Sequence, residues 1–94
     1  MNCFLVERNL PGMTAASLDA LQRVLRAASQ RLTTPTAHVR YLGSVYVPRT
    51  HRCMCLFEAH SAELVRLVND TAQAPYSTVQ EVMARCYANG ERRE

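Results

Sequence analysis

Between residues 37 and 59 the chain reads AHVRYLGSVYV, then PRTH, then RCMCLFEA. The two outer stretches carry the alternation and the β-branched and aromatic residues of strands, and a four-residue connection opening on proline predicts a tight hairpin between them. Upstream, CFLVE is a short apolar run that ends at NLPG, where Pro11 and Gly12 break any regular element. The period then changes: Leu18, Leu21, Val24, Leu25, Ala28 and Leu32 recur every three or four residues, with Arg23, Arg26 and Gln30 off that face. This is one amphipathic helix, capped by Thr14 and closed before Pro35. Beyond the hairpin, Ser61 caps a second helix carrying Leu64, Val65, Leu67 and Val68, and Pro75 ends the segment that follows. STVQEVMARCY then predicts a fourth strand, and ANGERRE a polar tail.

The order is βαββαβ. In 94 residues there is room for one core, so residues 1–87 are expected to form a single domain and 88–94 its C-terminal tail. The pattern predicts an α+β, ferredoxin-like fold: a four-stranded antiparallel sheet of order 4-1-3-2 with both helices on one face.

Alternation assigns the strand residues to faces. Cys53, Cys55, Phe57 and Ala59 share one side, small and apolar as a helix-covered core requires, and Phe4, Val6, Leu42, Val82 and Ala84 are expected with them. The other side is expected to carry Leu5, Glu7, Tyr41, Val45, Met54, Leu56, Glu58, Glu81 and Met83. A face this apolar predicts packing against a second copy, giving a homodimeric α/β sandwich. Glu7, Tyr41, Glu58 and Glu81 are then the candidate ligand-binding residues, since three carboxylates from neighbouring strands in a partly closed cavity would favour cations or proton transfer; the favoured alternative is that the glutamates lie at the sheet rim, solvated or paired with Arg8, Arg52 or Arg85.

Cys53 and Cys55 invite a metal or redox reading. Residues i and i+2 of an extended strand lie about 6.5 to 7 Å apart at Cα, a poor fit to a disulfide. A lone C-x-C without a second pair at zinc spacing is a weak metal signal, and free cysteine is among the most often buried residue types, so packing is the expected role. The histidines His38, His51 and His60 are better donors for nickel or copper. A simple hairpin register brings His38 and His60 together at one end of the second and third strands, with Glu58 two residues from His60, while His51 falls in the connecting loop. His38, His51, Glu58 and His60 are thus the candidate metal ligands.

The net charge of +3 is modest and the arginines are spread out, with no basic stripe interleaved with aromatics, so nucleic acid is not an expected partner. No apolar run approaches the roughly twenty residues of a membrane span, and the N-terminus lacks a basic region before its short apolar run. A cytoplasmic location with cysteines kept as thiols is the expectation.

FLVERNLPGMT, VRYLGSVYVPRTHRCMCLFEAHSAE and APYSTVQEV together resemble a small actinobacterial family of unknown function whose best-described member is a ferredoxin-like, nickel-binding dimer. The resemblance spans about residues 3 to 83. It implies the βαββαβ fold, a homodimer and nickel as the cofactor. The chain departs from the family pattern where relatives often carry histidines: it has Val68 and Asn69 on the second helix and none near Gly43 in the second strand.

The function expected is therefore binding of a small ligand or a transition metal, rather than catalysis. Two alternatives belong to other classes. Dimeric ferredoxin-like domains also host monooxygenases and decarboxylases, for which Tyr41, Tyr46, His38 or a buried glutamate would serve as acid or base; a non-catalytic interaction module would present the arginine-bearing first helix. No nucleophile with an adjacent base, phosphate loop or nucleotide fingerprint supports a hydrolase, kinase or dehydrogenase.

Overall fold

A computed structural model describes residues 1–84. The elements follow the order β1 (Asn2–Asn9), α1 (Ala15–Leu32), β2 (Val39–Val47), β3 (Arg52–Ala59), α2 (Ala62–Thr71) and β4 (Thr78–Val82). The strands form one antiparallel sheet in the order β2-β3-β1-β4, the expected 4-1-3-2 arrangement read from its other edge. The expected tail, residues 88–94, and the end of the expected fourth strand lie outside the described residues.

Local chemistry sets the element ends. Thr14 caps α1 in a box: its hydroxyl accepts from the Ser17 amide at 3.1 Å while the Ser17 hydroxyl accepts from the Thr14 amide at 2.7 Å. Ser61 accepts from the Leu64 amide at 3.2 Å and starts α2. The Pro48–His51 hairpin loop ends on His51 with φ of 61°, a left-handed conformation that histidine adopts more readily than bulky apolar residues do.

The core lies between the sheet and both helices. Phe4 and Val6 from β1, Cys53, Cys55, Phe57 and Ala59 from β3, Leu25 and Ala28 from α1, and Val65 and Val68 from α2 are all buried there. Cys53 and Cys55 are fully enclosed, as packing residues should be.

Two strand phases differ from the sequence expectation. In β2, Tyr41 stands opposite Phe57 but Gly43 stands opposite Leu56, so Leu42 is the extra residue of a β-bulge. The bulge puts both Tyr41 and Tyr46, five apart in sequence, on the helix-covered side. Tyr41 is therefore buried in the core rather than displayed on the open face, and Leu42, expected inside, is 42% exposed. In β4, Val79 pairs with Val6 and Glu81 with Phe4, which turns Val82 toward the open face and Glu81 to the helix side, where it remains exposed. Met83 and Ala84 follow the strand and are exposed. The phase of β4 is set by the packing of Val79 against the core, not by the apolar pair at its end.

Candidate functional site

His38 precedes β2 and His60 follows β3, so the hairpin pairing brings them together at the end of the sheet far from the turn. The His60 amide donates to the His38 carbonyl at 3.1 Å, and the His38 amide donates to Nδ1 of His60 at 2.8 Å. The rings meet edge to face, 5.8 Å between centroids, and both residues are exposed. Because Nδ1 of His60 accepts, the proton of the neutral ring sits on Nε2, and that nitrogen is not free to ligate while the bond holds. The His38 ring makes no hydrogen bond among the described residues. It is the readier metal donor of the two.

The remaining candidates are dispersed. His51 lies at the opposite end of the hairpin, on the order of 25 Å away along β3. Glu58 points to the open face and pairs with Arg40 at 3.1 Å; Glu7, on the same face, pairs with Arg52. With Glu81 on the other side of the sheet, the three carboxylates do not converge. Among the described residues no group of three or more His, Cys, Asp and Glu side chains is placed to hold a metal ion. One chain therefore brings two adjacent imidazoles, a chemically apt but incomplete donor set for nickel.

Under the helices runs a part-buried polar chain that the alternation pattern did not reveal. The Tyr41 hydroxyl lies 2.5 Å from Ser44 Oγ, and Ser44 Oγ lies 2.9 Å from Cys55 Sγ. Cys55 faces Cys53, and Cys53 stands opposite both Tyr46 and Arg8 in the sheet. Burial pushes the Cys53 thiol up to about 12, reinforced by Cys55 beside it and opposed by Arg8. A thiol raised in this way is protonated at neutral pH and has little thiolate character. Burial likewise raises the Tyr41 phenol above its ordinary value, against the lowering effects of Ser44 and of the Arg26 guanidinium.

Arg8 is the least expected member of the interior. It is 3% exposed, and its guanidinium donates to the Asn69 side-chain oxygen at 2.6 Å and to the carbonyls of Ala74 at 3.0 Å and Pro75 at 3.4 Å. Its Nε has no partner among the described residues. Asn69, on α2, spends its amide on this clamp, donating in turn to the Val65 carbonyl at 2.8 Å. In the sequence, Arg8 continues the covered phase of Phe4 and Val6, which was the signal for its burial; Gly43 inside a strand was the signal for the bulge.

Residues 4–82 match the family described as "Nickel responsive protein SCO4226-like". No curated protein matches the chain. Among solved structures, the chain is similar to the crystal structure of SCO4226 from Streptomyces coelicolor A3(2), with a TM-score of 0.76 and 21% identity over 89% of this chain and 99% of that one. At that identity the likeness shows the shared fold.

Proposed function

The chain belongs to the SCO4226-like family of nickel responsive proteins, and from that premise we propose that it is a small binding protein that takes nickel through exposed imidazoles and works as a homodimer. The observation that carries the metal reading is the juxtaposition of His38 and His60 across the hairpin ends. Imidazole suits nickel better than carboxylate alone. Two imidazoles leave the rest of the coordination sphere to water or to groups of a second copy. His38 ligates as it stands, whereas His60 must first release the His38 amide and turn its ring.

Two features support binding over catalysis. The Tyr41 hydroxyl, an acid or base candidate, is tied to Ser44 inside the core, and the Cys53 thiol is held protonated. For the dimer, the support is the open sheet face: Leu5, Met54 and Leu56 occupy its middle, Val45 is 60% exposed beside them, and the ion pairs Arg40–Glu58 and Arg52–Glu7 lie on the same face. An apolar centre with paired charges around it suits a two-fold interface.

The test is calorimetric titration of the untagged protein with nickel. Micromolar or tighter binding is expected, lost in the His38→Ala, His60→Ala double variant, with His38→Ala alone weakening it more than His60→Ala alone. Absence of binding, or binding indifferent to both histidines, overturns the proposed site.

A further inference from the structure

Between the C-terminal half of α1 and the first half of β2 lies a groove of about 380 Å³, within the usual range of small-molecule sites. Its charged and polar walls are Arg26 and Gln30 from the helix and His38 from the strand side; Val39 and Tyr41 supply its apolar surface, and Arg40 borders it with its guanidinium on Glu58 at the open face. No aspartate or glutamate lines it. The charge of Arg40 is met by Glu58. Arg26 has no carboxylate partner among the described residues; its guanidinium rests instead over the Tyr41 ring, 5.7 Å from the centroid.

The surroundings hold these groups in place. The ring under Arg26 is fixed by its hydroxyl bond to Ser44 and by edge-to-face packing on Phe57 at 5.5 Å. Thr33 accepts from the Val39 amide at 3.1 Å, tying the end of the helix to the start of the strand along the groove floor. A planar cation stacked on a rigid ring has lost much of its rotamer freedom before a ligand arrives, and its remaining N–H edge suits a carboxylate.

We propose that this groove is a binding site for a small organic carboxylate with an apolar body, the carboxylate paired with Arg26 and the body laid against Val39 and Tyr41. The site is independent of nickel, although His38 borders both. It is specific in charge through Arg26 and in shape through the apolar floor, so an uncharged isostere and a bare inorganic anion each lack half of what it reads.

Phenylacetate is a suitable probe, titrated into the metal-free protein in a chelator and followed by amide shifts in ¹H–¹⁵N spectra. Saturable shifts at Gln30, Val39 and Tyr41 are expected. Arg26→Gln, an exposed substitution on a formed helix, should weaken binding roughly tenfold or more, since a hydrogen bond to a charged group contributes about that much. Arg23→Gln, on the same helix away from the groove, should leave it unchanged. Equal binding of 2-phenylethanol would overturn the carboxylate assignment, and equal saturation by inorganic phosphate would overturn the organic one. Absence of saturation, or equal losses in the two arginine variants, would overturn the site itself. Because metal is excluded throughout, failure here and failure of the nickel titration are separate results.

Discussion

Arg8 is a cation in the interior whose hydrogen-bond partners are neutral oxygens. Its position near the end of α2 explains how this is tolerated: the side-chain oxygen of Asn69 and the carbonyls of Ala74 and Pro75 gather partial negative charge where a helix ends, and a guanidinium reaches several of them at once. A lysine ammonium cannot span the same set. Arg8→Lys should therefore lower stability by about 1–3 kcal/mol in urea unfolding, against about 0–1 kcal/mol for Arg52→Lys at the exposed pair with Glu7. Cys53 sets a pH dependence of definite sign. Its folded thiol titrates at about 12, above the ordinary value of 9.0, so the unfolded chain gives up this proton first as the solution becomes alkaline. The stability associated with the neutral thiol is full below about pH 9 and declines as pH rises toward 12, and the raised Tyr41 adds in the same direction. The urea midpoint should thus fall between pH 7.5 and 10.5. Cys53→Ala should start lower, through the cavity it leaves, but fall less steeply.

At the scale of elements, the bulge in β2 decides which side chains enter the core. With Leu42 as the extra residue, Tyr41 and Tyr46 both face the helices, and Tyr46 donates to the Leu10 carbonyl at 2.8 Å. Deleting Leu42 would remove the extra residue and leave Tyr41, Gly43, Ser44, Val45 and Tyr46 in unbroken alternation opposite Phe57 to Cys53, with both tyrosines still facing the helices. The deletion variant should therefore keep a cooperative urea transition, whereas inserting one alanine after Gly43, which shifts Ser44 and Tyr46 to the opposite face, should destabilise the protein strongly; Leu42→Ala, which keeps the bulge, should change stability by less than about 0.5 kcal/mol. The same feature marks the limit of what the sequence discloses. Each change of hydrophobic period was legible, as were the caps at Thr14 and Ser61 and the hairpin at Pro48–His51, because the signals are local and several residues long. The bulge rests on one inserted residue that leaves alternation on either side intact and is marked only by Gly43 inside the strand, a signal that does not say which residue is extra, so Tyr41 read as outward. In β4 the five residues offer apolar side chains in both phases, Val79 in one and Val82 in the other, and only contact with Val6 decides between them. The proximity of His38 and His60 followed from hairpin register, and Arg52 was among the arginines expected to pair with the open-face glutamates, whereas Arg40 as the partner of Glu58 depended on the register of β2 beyond the bulge.

At the scale of the molecule, the sheet has one face covered by helices and one that nothing covers among the described residues. If two copies close over the open face, Leu56 lies well inside the junction and its replacement by a charge cannot be accommodated. Leu56→Arg should convert the dimer to a monomer in analytical ultracentrifugation, and the wild-type unfolding midpoint should rise with protein concentration while that of the variant does not. A dimer that survives the change would place the junction elsewhere.

The position of β1 has a consequence for biosynthesis. The first strand of the chain lies inside the sheet, between β3 and β4, and both of its partners are made after it. While the ribosome works through α1 and the hairpin, the segment from Asn2 to Asn9 has no edge to join, and its second neighbour, β4, is the last of the described strands to emerge. A nascent chain stalled before Thr78 would present one flank of β1, with Phe4 and Val6 beside it, to any extended peptide in reach. Final closure of this sheet falls to its shortest strand, so premature termination in the closing stretch yields a product prone to aggregate rather than a slightly shortened working protein.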